Sequence, residues 1–182
     1  MQDLIAKADT LLEALSYIQK FSRATFVVKY GGSFMDSPDA NVRNGVARDI
    51  VFLEAVGINP VVVHGGGKAI TRAMEAAGLK ANFIQGQRVT DAATIDVVDR
   101  VLSRDINPEI VKAIENFDGN ARGFSGADIF KCRKLLLKDP AGKDIDIGFV
   151  GEVTAVNVDP LRECIRRGIT PVISPTALGE DG

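Results

Sequence analysis

Two short apolar segments that each end in glycines place the strongest constraint on the fold of this chain. The segments "ATFVVKY" and "NPVVVH" are apolar enough to be buried in a sheet, and they end at Gly31-Gly32 and at Gly65-Gly66-Gly67. A segment with helical character follows each glycine group. This alternation predicts an α/β fold with a mainly parallel sheet, and adjacent strands would bring both glycine groups to one sheet edge.

Helix start and stop signals divide the rest of the chain. Serine or aspartate before proline, and glycine after the last apolar residue, are typical helix boundaries. They predict helices at 4–20, Ser37 (as N-cap) to Val56, Lys68 to Ala77, Thr90 or Asp91 to Leu102, Asn107 to Asp118 and Asp159 (as N-cap) to Arg167. Glycine-punctuated apolar stretches in residues 121–157 predict strands and hairpins, and "ITPVIS" predicts a last buried strand.

The composition excludes several classes of function. The 182 residues carry a formal net charge of −2, which argues against a general nucleic-acid-binding protein. No run of about 18 apolar residues is present and the N-terminus lacks a secretory signal, so we expect a cytoplasmic protein without a membrane segment. Cys132 and Cys164 are not closely spaced, which fits a reducing compartment, and a single histidine excludes a multi-histidine metal centre.

The two glycine groups are candidate anion-binding loops. Such a turn collects backbone N–H groups at the positive end of a helix dipole, and we expect it to need positive φ angles. Neither dinucleotide nor Walker A patterns fit, because Ile70 and Ala69 stand at required positions. The alternative is that the glycines only form tight turns. Lys29, on an apolar strand, indicates a cation beside a phosphoryl group or, alternatively, a solvated strand end.

Five segments, in this order and spacing, resemble the amino acid kinase family. They are "FVVKYGGSFMDS", "PVVVHGGGKAI", "GQRVTD", "IGFVGEVTAVN" and "GITPVISPTALGEDG". K-x-G-G and H-G-G-G serve several substrates in the family, whereas their combination with "GQRVTD" and "GFVGEV" resembles the members that phosphorylate N-acetyl-L-glutamate. Gln87 and Ala127 depart from the usual leucine and lysine, which leaves the acyl-amino-acid preference open.

The resemblance implies an αβα sandwich and a kinase of arginine biosynthesis. Such an enzyme uses ATP with Mg²⁺ to phosphorylate the γ-carboxylate of N-acetyl-L-glutamate and has no resident metal. Arg88 would hold the α-carboxylate with its planar fork, whereas His64 would shape the loop, since a carboxylate acceptor has no proton to lose. The other implied roles are phosphoryl stabilisation by Lys29 and Gly32, nucleotide phosphate contacts by Lys29, Gly31, Gly32 and Gly65, and acceptor binding by Gly66 and Gly67.

The resemblance also implies a domain organisation. Residues 23–182 correspond to the amino-acid-binding lobe, and the nucleotide lobe with the catalytic aspartate and second lysine would follow Gly182. We therefore expect the 182-residue chain to be truncated and, by itself, inactive. Residues 1–22 resemble the N-terminal helix through which arginine-inhibited members associate, so a dimer or hexamer is expected; the alternative is a helix that covers its own domain.

Two other functions stay open on the sequence. One is a kinase for another carboxylate or for carbamate, which Arg88 in "GQRVTD" disfavours. The other is a non-catalytic module that binds acetylglutamate or assembles with partners through the N-terminal helix. Binding measurements distinguish these functions, because only a kinase would bind both an acceptor and ATP.

Overall fold

The described residues form alternating helices and strands. The computed structural model describes residues 1–31 and 37–182, except for the side chain of Leu4. The helices are α1 (Gln2–Phe21), α2 (Ala40–Ala55), α3 (Gly67–Ala76), α4 (Ala92–Asp99), a π-helical segment (Arg100–Ile106), α5 (Asn107–Glu115), α6 (Gly126–Ile129) and α7 (Asp159–Arg166). The strands are β1 (Thr25–Tyr30), β2 (Asn59–His64), β3 (Phe83–Ile84), β4 (Gln87–Arg88), β5 (Ala121–Phe124), β6 (Phe130–Lys138), β7 (Asp144–Val156), β8 (Thr170–Ile173) and β9 (Leu178–Gly179).

The central sheet is parallel and has the strand order β1-β2-β8-β5. Strands β1 and β2 pair over their full lengths, and the last residues of the two strands, Tyr30 and His64, are partners in the register. This pairing confirms that the two glycine-terminated segments are neighbouring strands. Their carboxyl ends therefore lie at the same edge of the sheet, where α/β proteins bind ligands.

Helices cover both faces of the central sheet. On one face, α2, α3 and α5 bury apolar side chains such as Ile50, Met74 and Ile114 against Val62 and Val172. On the other face, α6 and α7 pack on β2 and β8. Each fully buried isoleucine or methionine contributes roughly 1.5–3 kcal/mol to the free energy of unfolding. The predicted αβα sandwich with a mainly parallel sheet is confirmed.

A second, mostly antiparallel sheet stands beside the central one. Strands β6 and β7 form a long hairpin, and the short strand β9 pairs with β6 in parallel, which gives the order β7-β6-β9. The backbone of Gly148 in β7 bridges Thr90, with φ at +82°, and a Cβ at this position would lie 2.0 Å from the Thr90 carbonyl oxygen. Only glycine permits this close approach, which fixes the hairpin against the segment that follows β4.

Two helices have a different N-cap residue from the one that the sequence predicts. Helix α2 begins at Ala40, because the Asp39 carboxylate accepts the N–H of Asn41 at 2.8 Å and caps the helix in place of Ser37. Helix α7 already includes Asp159, and its N-cap residue is Val158. The predicted glycines after α2, α3 and α7 are correct, since Gly57, Gly78 and Gly168 have positive φ angles.

The predicted break between two helices near residue 107 is wrong. Helix α4, the π-helical segment and α5 follow one another without an interruption, and the backbone at Arg100 and Asn107 is helical. Proline removes one backbone donor and clashes with the carbonyl of the preceding turn, which is why Asn107-Pro108 predicts a helix start. The wider π-helical turn before Pro108 accommodates this clash without ending the helix.

Helix α1 exposes most of its apolar residues. The predicted helix is present, yet its apolar side chains are largely exposed. Ile5, Leu11, Leu12 and Leu15 are between 43% and 72% exposed. Its last residue, Phe21, makes an edge-to-face ring contact with Phe26 of β1. The exposure disfavours the alternative in which this helix covers its own domain. Among the described residues, no helix has the length and apolar character needed to span a bilayer.

Candidate functional site

The two glycine groups begin side by side at the carboxyl edge of the central sheet. The N–H of Gly65 donates to the carbonyl of Tyr30 at 2.8 Å, so the first residue of the second loop is bonded to the last residue of β1. Gly31 follows Tyr30 directly, whereas Gly32 lies outside the described residues. The parallel pairing therefore brings Gly31 and Gly65 together, as the sequence predicted.

The second glycine loop leads into α3 without a side-chain cap. Gly66 is the N-cap residue and Gly67 is the first helical residue. The first N–H groups of a helix have no partner within the helix and carry the positive end of its dipole. As a glycine, the N-cap residue Gly66 has no side chain that could bond these groups, which suits them to an anion. A Cβ at Gly31 or Gly67 would meet no atom of residues 1–31 and 37–182 within 4 Å.

The expectation that the loop glycines need left-handed φ angles is wrong for the described ones. Gly31, Gly65 and Gly67 are not in the left-handed region, and Gly66 has an extended φ of 176°, whereas Gly32 lies outside the described residues. Gly66 is instead required by packing. A Cβ on Gly66 would lie 2.6 Å from Cδ1 of Ile106 and 2.7 Å from Cδ2 of Leu102.

Gly66→Ala should therefore destabilise the protein, whereas Gly67→Ala should not. Leu102 and Ile106 are 4% and 6% exposed, so their methyl groups would have to move within the packed core to admit the new Cβ. Overpacking of this kind costs about 1–3 kcal/mol in the free energy of unfolding. Urea denaturation of both variants and the wild type measures the difference. Equal stabilities for Gly66→Ala and the matched control Gly67→Ala would contradict the packing explanation.

Arg88 lies against the second glycine loop. Its Nη2 atom donates to the Gly67 carbonyl at 3.1 Å and to Oγ1 of Thr71 at 2.9 Å, and its Nη1 atom lies 3.2 Å from Sδ of Met74. The guanidinium also stacks on the ring of Phe83 at 4.7 Å. Burial lowers the pKa of Arg88, but an arginine keeps its charge at neutral pH. The groups that contact Arg88 here are all uncharged. They hold the guanidinium in place, and its positive charge can bind a ligand.

A cleft of about 880 Å³ opens beside this arginine. One wall comes from the glycine-loop side of the molecule and contains Val63, Ile70 and Arg88. The opposite wall comes from β6, β7, α6 and the segment around β9. Charged side chains in the lining come from several elements, namely Arg88, Asp99, Lys134 and Asp181. The cleft is large enough for a small dicarboxylic acid and has its basic group next to the loop.

Lys29 is near the cleft but is not among the residues that line it. It is exposed and pairs in the parallel register with Val63, which does line the cleft, so the two side chains leave the same face of the sheet. Lys29 makes no hydrogen bond or ion pair within residues 1–31 and 37–182. The structure thus brings Arg88 into contact with the glycine loop. Lys29 lies on the neighbouring strand β1, without a charge partner among the described residues.

His64 is buried beneath the loop. It is 2% exposed, and its Nδ1 atom lies 3.0 Å from the carbonyl oxygen of Gly65. Its Nε2 atom lies 3.3 Å from the amide nitrogen of Asn107. Burial lowers the pKa of His64, and the contact with the Gly65 carbonyl raises it to a smaller extent. A neutral imidazole under the loop fits the predicted structural role.

Sequence reasoning missed the residues that support the site from neighbouring elements. Thr71 lies one helical turn after Gly67, a spacing that could have indicated a shared face, but nothing local links it to Arg88. Asn107 was seen only as a helix boundary, although it is 3% exposed and bonded to two strands. Ser174, fully buried after β8, accepts the N–H of Gly126 at 2.9 Å and holds one wall of the cleft.

Comparison with known proteins agrees with this architecture. Residues 24–182 match the family described as "Amino acid kinase family". The chain belongs to the amino acid kinase family. This assignment confirms the resemblance in the sequence segments around the two glycine loops.

The curated relatives of this amino acid kinase chain include several called acetylglutamate kinase. The protein of Thermoanaerobacter sp. (strain X514) is 46% identical over 99% of this chain, which covers 58% of the relative. Those of Neisseria gonorrhoeae and Geobacter sulfurreducens are 45% and 44% identical over 97% and 100% of the chain, covering 59% and 64% of the relatives. The chain thus spans about three fifths of the length of these relatives.

Solved structures with the same fold include an enzyme of another name. N-acetylglutamate synthase from Neisseria gonorrhoeae, complexed with coenzyme A and N-acetyl-glutamate, has a TM-score of 0.77 at 21% identity, over 96% of this chain and 39% of the synthase. An isopentenyl phosphate kinase has a TM-score of 0.52 at 13% identity, over 86% of this chain and 59% of the kinase. At these identities the likeness shows the fold alone.

Proposed function

We propose that this chain is the acceptor-binding lobe of an acetylglutamate kinase. The observation that carries the proposal is the contact of Arg88 with Gly67, which places a charged fork directly beside a helix N-terminus. A dicarboxylic acceptor needs two anion sites, and these two features supply them side by side, with Arg88 in the lining of the cleft and Gly67 in contact with it. The names of relatives at 44–46% identity support N-acetyl-L-glutamate as that acceptor.

The two carboxylates of the acceptor would bind to the Arg88 guanidinium and to the N-terminus of α3. The α-carboxylate would take the outer N–H groups of the Arg88 guanidinium, because a planar fork matches a carboxylate with two charge-assisted hydrogen bonds. The γ-carboxylate would lie at the backbone N–H groups of Gly66 and Gly67, which the α3 dipole makes attractive to an anion. The reacting group thus faces the sheet edge where Gly31 and Gly65 meet.

The phosphoryl donor would be ATP with Mg²⁺, bound largely by a second lobe. Phosphoryl transfer between two anions depends on positioning and on neutralisation of charge, with no covalent intermediate on the protein. Lys29 is exposed on the cleft-facing side of β1 and has no charge partner within residues 1–31 and 37–182, which supports its role beside the transferring phosphoryl group. Gly31, Gly32 and Gly65 would add contacts to the nucleotide phosphates.

A substrate panel tests the proposed activity. Residues 1–182 would be joined to the remaining part of the Thermoanaerobacter relative, and acyl phosphate would be trapped with hydroxylamine. We expect ATP-dependent product with N-acetyl-L-glutamate from the fusion, none from the 182-residue chain alone, and little with L-glutamate or L-aspartate. Equal rates with L-glutamate would favour the kinase for another carboxylate, and acceptor binding without any transfer would favour the non-catalytic module.

We also propose that residues 1–22 form an oligomerisation arm, through which copies of this chain associate, and that residues 23–182 form the acceptor-binding lobe. The exposed apolar side chains of α1 support this role, because a contiguous exposed apolar surface marks an interaction site.

The free thiols of Cys132 and Cys164 support a reducing compartment such as the cytoplasm.

Leu12→Glu should shift the protein towards smaller oligomers. Leu12 is 67% exposed, and a buried carboxylate in its place would oppose association of two helices. The matched control is Thr10→Glu, which adds the same charge to an exposed position on the other side of the same helix. Light scattering coupled to size exclusion measures the molar mass. A wild-type chain that stays monomeric at all concentrations would refute the oligomerisation arm.

A further inference from the structure

The π-helical segment and the first residue of α5 pack directly beneath the second glycine loop. Leu102 and Ile106 contact Gly66, and Asn107 reaches His64. All three side chains are at most 6% exposed. π-helical turns are frequent at functional sites because the extra residue re-aims the side chains that follow it. Here the re-aimed side chain of Asn107 points to the sheet, between β2 and β8.

The orientation of the Asn107 amide follows from its two neighbours. Its Nδ2 atom lies 3.0 Å from the carbonyl oxygen of Val172 and 3.3 Å from Nε2 of His64. A carbonyl oxygen can only accept a hydrogen bond, so the group facing Val172 must be the NH₂ group. The second hydrogen of that NH₂ group is then directed to Nε2 of His64, and this nitrogen must be the acceptor.

The orientation of Asn107 fixes the tautomer of His64. A neutral imidazole has one donor and one acceptor nitrogen, so an accepting Nε2 leaves the proton on Nδ1. The Nδ1–H group faces the carbonyl oxygen of Gly65 at 3.0 Å, which can only accept. All the contacts of the ring are therefore consistent with one protonation state. The lowered pKa of His64 keeps the ring neutral in the physiological range.

The tautomer in turn fixes the peptide that starts the glycine loop. The N–H of Gly65 is bonded to Tyr30, and its carbonyl is bonded to His64, so this residue is held from both sides. A trans peptide is planar, so the N–H of Gly66 points opposite to the Gly65 carbonyl, away from the buried histidine. The direction of the Gly66 N–H is thus set from beneath the loop.

We propose that Asn107 is a positioning residue that acts through the Nδ1–H tautomer of His64 to aim the Gly66 N–H at the acceptor. The part that concerns the acceptor rests on the proposed function, whereas the tautomer does not. Asn107 itself touches no part of the cleft, since it lies on the opposite side of His64.

The tautomer can be measured directly because the chain has a single histidine. A long-range ¹H–¹⁵N correlation spectrum of the ¹⁵N-labelled 182-residue chain distinguishes the two ring nitrogens. We expect a protonated Nδ1 and an unprotonated Nε2, the reverse of the form that free histidine favours. A wild-type spectrum with the proton on Nε2 would overturn the proposal, whatever the chain binds.

Two variants test the link from Asn107 to the loop. Asn107→Ala should give a mixture of tautomers and weaken N-acetyl-L-glutamate binding about 5- to 10-fold, the usual effect of one lost hydrogen bond. The matched control is Thr170→Ala at the start of β8, which removes another buried hydrogen-bonding side chain, whose hydroxyl contacts Glu54 and not His64. This control should keep both the tautomer and the affinity. Asn107→Ala with a pure Nδ1–H form and wild-type affinity would refute the role of Asn107.

A conservative substitution separates the positioning role from a merely structural one. His64→Asn places an amide near the position of Nδ1 and can still donate to the Gly65 carbonyl, whereas His64→Gln places its amide near Nε2. We expect His64→Asn to retain more affinity for N-acetyl-L-glutamate than His64→Gln, and equal losses would contradict the proposal. If the wild type shows the expected tautomer but no binding, the proposed function fails and the tautomer assignment stands.

Discussion

Lys29→Met is expected to lower the turnover number of the enzyme, assembled with a nucleotide lobe, at least about 100-fold. Lys29 is exposed near the end of β1, and its register partner Val63 lines the cleft. Negative charge builds up on the transferring phosphoryl group mainly in the transition state, so the acceptor KM should change little. Steady-state kinetics with N-acetyl-L-glutamate measures both constants.

Lys131→Met is the matched control for this variant. Lys131 is also an exposed lysine on a strand, but it belongs to β6 rather than to the sheet edge with the glycine loops. Its replacement should leave the turnover number within about twofold of the wild type, as is usual for isolated surface charges. Similar rates for Lys29→Met and Lys131→Met would remove Lys29 from the mechanism.

Arg88→Gln is expected to weaken acceptor binding about 100-fold. The substitution removes the two charge-assisted hydrogen bonds proposed for the α-carboxylate, each of which contributes roughly 1.5–3 kcal/mol before compensation. It also removes the contacts that hold the side chain to Gly67 and Thr71. Arg88→Lys should weaken binding by about tenfold, because lysine keeps the charge but not the fork. Calorimetry with N-acetyl-L-glutamate gives the dissociation constants.

Arg122→Gln serves as the control for Arg88→Gln. Arg122 also stacks on an aromatic ring, at 5.0 Å from the ring centre of Phe124, but it lies on β5 at the other side of the sheet. Its replacement tests whether loss of an arginine–aromatic contact alone disturbs the protein. Acceptor binding should stay at the wild-type value, and an equal loss in both variants would assign the effect of Arg88→Gln to stability.

The parts of the fold that depend on local patterns could be predicted from the sequence. Buried strands show as apolar runs, so β1, β2 and β8 were found, and the glycines after the helices mark their ends. The adjacency of β1 and β2 also followed, since consecutive strands in α/β folds are usually neighbours. The sequence alone therefore predicts that the two glycine loops lie together.

The parts that depend on distant contacts could not be predicted. The dipeptide Asn107-Pro108 carries a strong local signal for a helix start, and only packing against the sheet shows why the helix continues through a π-helical turn. The sequence predicts a glycine at position 66 for its backbone conformation, whereas the structure shows a close approach of Leu102 and Ile106 to this residue. In both cases the decisive partner lies more than 35 residues away in the sequence.

The central claim is that the glycine loop and Arg88 form one acceptor site. A ¹H–¹⁵N correlation titration of the 182-residue chain with N-acetyl-L-glutamate tests it at residue resolution. The account predicts saturable shifts of the backbone amides of Gly66 and Gly67 and of the Arg88 side chain, and no comparable shifts at Lys112 and Gly123 in the separate groove beside β5. Saturable shifts confined to that groove, or an unperturbed glycine loop at saturating ligand, would contradict it.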